Sequence, residues 1–359
     1  MSGVSEPVVN EVAEAPAEFE PEVRSLTAFE RLTRSTAFWI GTALLGMVIV
    51  FGLISPDNAF VRPSNLLTIG LNAAQIMILA VGMTYLIGAG QLDLSVGSNL
   101  ILCSVFSAQA VVALAGSPEQ VVSGEYPNLP FAVVVAVLVA LLTGGLFGLV
   151  NAILVTRLHI TSFIVTLATG GIGLGIALVR TGGGNVSYIP RELQLAFGSA
   201  KLFDLVPVPL VVAGIIAGFL WAVMRLTGFG LRTVAIGSSR EAAVRAGVAV
   251  DRHLVKLFVM MGLLVGIAGL LDVARFATTN VAGHQTDALA AIAAVVIGGS
   301  SLFGGVASVG GTILGTLIPV SLATGLVIMR VESFYQLIAV GIILILAVYW
   351  DQRRRSGMS

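Results

Sequence analysis

The sequence predicts an all-α, polytopic membrane protein with about ten transmembrane helices, some broken or re-entrant, and with both termini in the cytoplasm. Hydrophobic residues make up 57% of the chain and charged residues only 11%, and the mean hydropathy is +1.00. These values are typical of polytopic membrane proteins and exclude an ordinary soluble domain. The apolar residues form ten runs with short polar segments between them, so we expect one membrane domain.

Most of the ten runs have the length of a membrane-spanning helix, which needs about 20 residues. The run at 286–299 is too short to cross alone and leads into a glycine- and serine-rich stretch ending at Gly305, so we expect a broken or re-entrant element there. Gly88-Ala-Gly90 leaves two alternatives open, a kink inside one helix or a break between two. The runs cover residues 38–54, 66–88, 92–115, 130–156, 161–180, 207–226, 254–276, 286–299, 303–328 and 333–350.

Both ends of the chain differ from the membrane domain predicted for residues 36–351. Residues 1–35 are predicted to be a disordered acidic tail, because the first 23 residues hold six glutamates, three prolines and no basic residue. Such a composition cannot bury enough apolar surface to fold, and it does not fit a signal peptide, which needs a basic start followed by an apolar core. Residues 352–359 are predicted to be a basic C-terminal tail.

The basic residues predict the orientation in the membrane. With ten spans and cytoplasmic termini, 13 of the 19 lysines and arginines fall on the inner side, as the positive-inside rule requires. This topology places the polar segment 227–253 in the cytoplasm. The remaining six fall on the outer side: Arg62, Arg180, Arg191, Lys201, Arg275 and Arg330.

A short capped helix is predicted inside that polar segment. Ser238-x-x-Glu241 fits a capping box, and Gly247 is a suitable stop, which together predict about two turns from Ser239 to Ala246. A helix this short is marginal in water by itself, so we expect it to rest against a partner. An ordinary connecting loop is the alternative.

No enzyme motif is present in the sequence. The chain has two lysines, Lys201 and Lys256, and neither follows a glycine-rich loop, so we expect no phosphate-binding loop and no cofactor bound by this chain. His159, His253 and His284 are far apart, which argues against a metal site. The single Cys103 lies in an apolar run and is expected to be a small core residue.

Polar residues inside apolar runs are candidate groups for a solute pathway, because a polar group in hydrocarbon needs a partner. Asn72 and Gln75 are three residues apart and so share a helix face. Asp93 has two open interpretations, an N-cap of the following helix or a pathway group. The full set of candidates is Asn72, Gln75, Gln91, Asp93, Ser95, Asn151 and Thr166.

Two further acidic residues have simpler interpretations. Asp272 and Arg275 are one helical turn apart, and we expect them to form an ion pair with each other. Asp287 opens the short run and is expected to be a cap. The many glycines, such as Gly144 and Gly148, are expected to let helices pack closely.

Several stretches, taken in order, resemble the ribose/xylose/arabinose-type permeases of ATP-binding cassette (ABC) importers, to which the branched-chain amino-acid ABC permeases are also related. The segment from Ala80 to Gly97, with GMT followed by LDLSVG, is similar to a signature of that family. The matching stretches that follow are Gly148-Leu-Val-Asn, Phe163-Ile-Val-Thr, Ala235-Ile-Gly-Ser-Ser-Arg-Glu-Ala-Ala and Ala288 to Gly305. The resemblance covers roughly residues 66–350, and the ordered combination makes it specific.

This resemblance implies a permease domain at residues 36–351 of a multi-pass protein in the bacterial inner membrane, without nucleic-acid partners. It would form a dimer with a second permease, which is either identical or different, and it would be surrounded by membrane lipid. Separate ATPase subunits would hydrolyse ATP with Mg²⁺, and an extracytoplasmic sugar-binding protein would deliver the solute. The capped helix would then couple the permease to the ATPase through Gly237, Ser238, Arg240, Glu241, Ala242, Ala243 and Gly247.

Two positions depart from the family pattern. Gln91 stands where the family usually has glycine, beside Asp93, and Leu174 stands where an arginine is common. The first departure touches the proposed pathway, so the solute is left open among pentoses, hexoses, polyols, nucleosides and furanosyl signalling molecules. Two other functions also remain as alternatives: an ion-coupled secondary transporter that uses Asp93 or Asp272, and a passive facilitator.

Overall fold

The computed structural model describes residues 36–356, so the predicted acidic tail and the last three residues of the predicted basic tail lie outside it. The described chain is a bundle of helices with one very small antiparallel hairpin. In that hairpin β1 (Lys201–Leu202) pairs with β2 (Val206–Pro207), with Lys201 opposite Pro207 and Leu202 opposite Val206. The ten apolar runs of the sequence all coincide with helices.

The first half of the bundle ends with a π turn before the hairpin. A 3₁₀ turn at Pro56–Val61 follows the first helix, and the π turn covers Gln194–Gly198. The helices of this half are α1 (Thr36–Ile54), α2 (Pro63–Gly88), α3 (Val96–Leu114), α4 (Pro118–Ser123), α5 (Leu129–Arg157), α6 (Ser162–Thr181) and α7 (Arg191–Leu193).

The second half begins directly after the hairpin. Its helices are α8 (Val208–Leu226), α9 (Gly228–Ser238), α10 (Arg240–Arg245), α11 (Val250–Phe276), α12 (Asp287–Ile297), α13 (Val309–Ile328) and α14 (Ser333–Ser356). Within the described residues, seven helices are long and apolar enough to cross a membrane: α2, α3, α5, α6, α8, α11 and α13. The chain is therefore an all-α polytopic membrane protein, while ten spans and the orientation of the termini stay predictions.

Three helices form the centre of the bundle. In the most apolar 18-residue windows, 67% of the residues of α3, 61% of those of α11 and 56% of those of α2 are buried, against 22% in α5 and in α8. Because a helix exposed to lipid keeps an apolar outer face while a central helix is enclosed on all sides, α5 and α8 belong to the periphery. Most of the largest fully buried side chains, such as Tyr85, Leu100 and Phe258, lie on these three central helices.

Glycines bring α5 and α11 into backbone contact. A Cβ atom on Gly144 would lie 2.1 Å from the carbonyl oxygen of Gly262, and one on Gly148 would lie 2.2 Å from that of Phe258. No side chain fits at such distances, so only glycine permits this crossing. The prediction that these glycines serve close helix packing is confirmed.

Irregular backbone interrupts the bundle at two places. Residues 89–95 separate α2 from α3, which settles the Gly88–Gly90 question in favour of a break, and residues 298–308 separate α12 from α13. With 11 residues, α12 is only about 16 Å long at 1.5 Å per residue, roughly half of a bilayer core. The predicted broken element is confirmed.

Candidate translocation and coupling site

A cavity of about 440 Å³ opens between α2, α13 and the loop that joins α11 to α12. Its wall is mostly polar at the α2 side and apolar at the α13 side, where Pro319 and Val320 line it. We call it the polar cavity. Of the pathway residues predicted from the sequence, Asn72 and Gln75 line it; the charged groups on its wall are Asp272, Arg275, His284 and Asp287.

His284 lies between two carboxylates in the polar cavity. Its Nδ1 atom is 2.9 Å from Oδ2 of Asp287, and its Nε2 atom is 3.3 Å from Oδ2 of Asp272. Gln75 joins the cluster from α2, since its Nε2 donates to Oδ2 of Asp287 at 3.2 Å. Burial lowers the pKa of His284, but the side chains of Asp272 and Asp287 outweigh it and raise the pKa to about 10, so the imidazole is charged at neutral pH.

The expected ion pair between Asp272 and Arg275 is wrong. Arg275 reaches across to α2 instead, where its Nη2 donates to Oδ1 of Asn72 at 2.7 Å, and the amide of Asn72 in turn donates to Thr324 Oγ1 at 3.3 Å. The long arginine side chain therefore points to the neighbouring helix rather than along its own, which leaves Asp272 to His284. The predicted cap role of Asp287 is also wrong, because its carboxylate turns to Gln75 and His284 while Thr286 occupies the N-cap position.

Asp93, Ser95, Asn151 and Thr166 lie together in a second, enclosed polar cluster where α3, α5 and α6 meet. Ser95 donates both its backbone N–H, at 2.9 Å, and its hydroxyl to Oδ1 of Asp93, so Asp93 does satisfy a free N–H before α3. Asn151 Nδ2 donates to Ser95 Oγ at 3.0 Å, and Thr166 Oγ1 accepts the N–H of Leu94 at 3.0 Å. Ser95, Asn151 and Thr166 are each 0% exposed.

This enclosed cluster holds the broken segment between α2 and α3 against α5 and α6. Its hydrogen bonds are satisfied within the protein, as buried polar groups require, and none of its four members lines the polar cavity. Gln91 lies apart from both groups; it is half-buried beside the end of α2, where its backbone N–H donates to Leu86 O at 2.8 Å. A pathway role for these residues stays a prediction.

The predicted capped helix exists as α10, but its cap is one residue later than expected. Ser239 is extended (φ −160°, ψ 108°) and its Oγ accepts the N–H of Ala242 at 3.2 Å. Ser238 instead ends α9, and its hydroxyl donates back to Val234 O at 3.0 Å, as serines inside helices do. Because Ala242 occupies the third helical position, the reciprocal half of a capping box cannot form.

Gly247 ends α10 as predicted. Its φ of +80° is the left-handed conformation that favours glycine, and the N–H of Val248 donates to Ala243 O at 3.0 Å. Ala243 is buried against the bundle, whereas Arg240, Glu241 and Ala242 are exposed. Arg240 forms an ion pair with Asp251 at 2.7 Å, and the outer face of α10 carries exposed charged groups.

The helix preceding α10 touches the end of α2. A Cβ atom on Gly237 would lie 2.0 Å from Gly88 O and 2.6 Å from Gly305 N, and Gly305 N donates to that same Gly88 O at 3.1 Å. Gly304 and Gly305 have φ values of +84° and +78°, which fold residues 298–308 into this three-way contact. We call this contact the glycine junction.

Sequence reasoning missed His284, Arg275 and Asp287 as parts of one site. The signal available was the spacing of His284 and Asp287 three residues apart at the start of a short apolar element; the contribution of α2 to their environment was not readable. Taken together, the seven apolar helices define a multi-pass membrane protein, whose bundle encloses a polar cavity and carries an exposed charged helix.

Residues 65–348 match the family described as "Branched-chain amino acid transport system / permease component", and the chain belongs to that family. It is 34% identical over 308 residues to the ribose import permease RbsC of Bacillus subtilis, covering 86% of this chain and 90% of that protein. It is 34% identical to the L-arabinose ABC transporter permease AraH of Azospirillum brasilense, over 87% of this chain and 88% of the relative. No solved structure matches the chain.

Proposed function

We propose that this chain is the membrane permease subunit of an ABC importer that translocates a sugar or a sugar-like solute. The relatives named above carry ribose and arabinose in their names, and a relative 28% identical over 93% of this chain is the D-allose transport system permease AlsC of Escherichia coli. An extracytoplasmic binding protein delivers the solute, a second permease completes the pathway, and separate ATPase subunits hydrolyse ATP with Mg²⁺. The chain itself needs no bound cofactor and is placed in the bacterial inner membrane.

The observation that carries this proposal is the course of α2. The middle of this buried helix supplies Asn72 and Gln75 to the polar cavity, and its last residue, Gly88, enters the glycine junction with Gly237. Sixteen residues separate Asn72 from Gly88, which is about 24 Å along a helix. A movement of α9 and α10 that the ATPase causes can therefore be transmitted to the polar cavity through the rigid helix α2.

The charges fit this arrangement. Arg225, Arg232, Arg240 and Arg245 surround the end of the bundle that carries α10, which supports a cytoplasmic location for that end. Glu241 and its neighbours are exposed there. A helix of six residues gains much of its order from a partner surface, and we place that partner in the ATPase.

Reconstitution of the permease into liposomes tests the function, with and without its ATPase and a loaded binding protein. Labelled D-ribose, L-arabinose and D-allose serve as solutes. We expect accumulation only when ATPase, ATP and binding protein are all present. Uphill uptake by the permease alone that an ionophore abolishes would establish the ion-coupled alternative, and equilibration without any energy source would establish a facilitator; either result contradicts the proposal.

A further inference from the structure

We propose that Asp272 binds the solute in the polar cavity. Its carboxylate accepts hydrogen bonds from two adjacent hydroxyl groups of a neutral polyhydroxylated solute. This inference rests on the proposed function and specifies a subsite within it. Asp272 lines the cavity although it is only 1% exposed. The sequence predicted an ion pair between Asp272 and Arg275, with an ion-coupling role only in the alternative of a secondary transporter. The structure shows that Arg275 bonds to Asn72 instead.

The first argument is the unsatisfied state of the Asp272 carboxylate. Neither of its oxygens accepts a hydrogen bond from any residue that the structure describes, and His284 Nε2, at 3.3 Å from Oδ2, contributes charge without a hydrogen bond. A buried carboxylate without hydrogen-bond donors is costly, and such groups are rare outside functional sites. A ligand that brings two O–H donors removes that cost.

The second argument is the charge balance around the cavity. Arg275 and protonated His284 carry two positive charges, and Asp272 and Asp287 carry two negative ones. Because these charges cancel, the cavity favours a neutral solute over a cation or an anion. The remaining polar lining consists of the amides and hydroxyl of Asn72, Gln75, Asn280, Thr286 and Gln336, which are suited to hydroxyl groups.

The third argument excludes a metal ion. The two ring nitrogens of His284 face two different carboxylates, so the three side chains do not converge on one point. Among the described residues no group of three His, Cys, Asp or Glu side chains is arranged to hold a metal ion. The carboxylate oxygens of Asp272 are therefore suited to accept hydrogen bonds from hydroxyl groups and not to coordinate a cation.

His284 can be exchanged for the solute as the partner of Asp272. It is the charged neighbour of Asp272, and it lies in the loop between α11 and α12 with a φ of +61°, held on its other side by Asp287. A solute diol replaces this electrostatic partner with two hydrogen bonds to the carboxylate. Asp287 keeps its own donors, Gln75 and His284, throughout.

The test measures sugar binding to the permease–ATPase complex in lipid nanodiscs, without binding protein or nucleotide, by saturation-transfer NMR. D-ribose and 2-deoxy-D-ribose are the probes, because they differ by one hydroxyl of an adjacent pair. Asp272→Asn should weaken ribose binding about 10- to 100-fold, as the loss of hydrogen bonds to a charged group does. It should also remove the preference for ribose over the deoxy sugar.

Asp287→Asn is the matched control, because it removes the same charge from the same cavity but from a carboxylate that already has its donors. We expect it to keep the preference for ribose. Equal losses in both variants, or ribose binding by Asp272→Asn at the wild-type level, would overturn the subsite, as would the absence of sugar binding to the wild type. If Asp272→Asn does not assemble, Asp272→Glu replaces it; it keeps the charge, moves the oxygens and should still bind ribose more weakly than the wild type.

The outcome is separable from that of the proposed function. ATP-driven uptake by the wild-type importer decides the function, whatever Asp272 does. Intact uptake together with an indifferent Asp272→Asn variant would remove the subsite alone.

Discussion

The Cα atom of Gly237 lies so close to the backbone of Gly88 that an added Cβ would be 2.0 Å from the Gly88 carbonyl oxygen. The two residues come from helices with different tasks in this account, α9 before the coupling helix and α2 beside the polar cavity. In the proposed function, this contact makes the glycine junction the point through which force from an ATPase would reach the pathway.

Gly237→Ala tests the junction. Because the new methyl group meets backbone atoms on two sides, we expect the junction to be forced apart, at a cost of about 1–3 kcal/mol that is typical of overpacking. ATP-driven uptake should fall by about 5- to 150-fold, which is the range that this energy corresponds to at a factor of ten per 1.4 kcal/mol. Gly228→Ala is the control on the same helix, since a Cβ there meets nothing within 4 Å; a similar loss in both variants would contradict the role of the junction.

Glu241→Arg tests the coupling helix. Glu241 is exposed in the first turn of α10, so the change leaves the fold intact and alters only the surface presented to a partner. We expect uptake to be lost while the ATPase continues to hydrolyse ATP. Glu119→Arg on α4 reverses an equally exposed charge in another surface helix and should leave uptake unchanged; normal uptake with Glu241→Arg at normal expression would count against the coupling role.

The His284 cluster predicts a loss of stability at alkaline pH. Its raised pKa of about 10 means that the folded protein holds a proton that the unfolded chain releases near 6.5. The stabilisation is therefore complete below pH 6.5 and is lost as the pH rises through about 10. The charged groups that face the imidazole are Asp272 and Asp287, with Arg275 on the same cavity wall.

Thermal unfolding measured between pH 7 and pH 11 checks this prediction. Over this range the melting temperature of the wild type should fall further than that of His284→Gln. Each kcal/mol of lost stability corresponds to about 2–4 °C. Identical pH profiles for the two proteins would show that His284 is not held by its carboxylates.

The enclosed cluster predicts a structural cost for Asn151→Leu. The amide of Asn151 donates to Ser95 and accepts from Thr169 at 2.7 Å, so its removal leaves buried hydroxyl groups without those partners. We expect a loss of about 1–3 kcal/mol, seen as a lower melting temperature in detergent. Thr42→Ala removes an exposed hydroxyl from α1 and should have no comparable effect; unchanged stability in Asn151→Leu would contradict the packing role.

Much of the fold was predictable because membrane helices depend on long apolar runs. The helices, the short α12 and the Gly247 stop follow from local properties of the chain. The cap of α10 was misplaced by one residue because Ser238 and Ser239 are both suitable N-cap residues and the capping-box spacing to Glu241 favoured Ser238. The backbone angles show that Ser239 is the cap. The contact of Gly237 with Gly88 could not be predicted, since it joins segments far apart in the sequence.

The polar cavity was predictable only in part. Asn72 and Gln75 stood out as amides on one face of an apolar helix, and both line the cavity. Ser95, Asn151 and Thr166 had the same signature yet bond to one another or to nearby backbone, because a polar residue in an apolar run signals only that a partner exists. Asp272 looked paired with Arg275 on spacing alone, whereas Arg275 bonds to Asn72 of α2 and Asp272 faces His284 in the loop after α11.

The central claim is that ATPase action at α10 alters the polar cavity through α2. It is tested most directly by the rate at which a membrane-impermeant thiol reagent labels Ala323→Cys, a position on the cavity wall, in a background with the buried Cys103 replaced by serine. Trapping ATP on the partner subunits should change this labelling rate in the wild-type background and leave it unchanged in Gly237→Ala. The same rate with and without trapped ATP in the wild type, or an equal change in Gly237→Ala, would contradict the account.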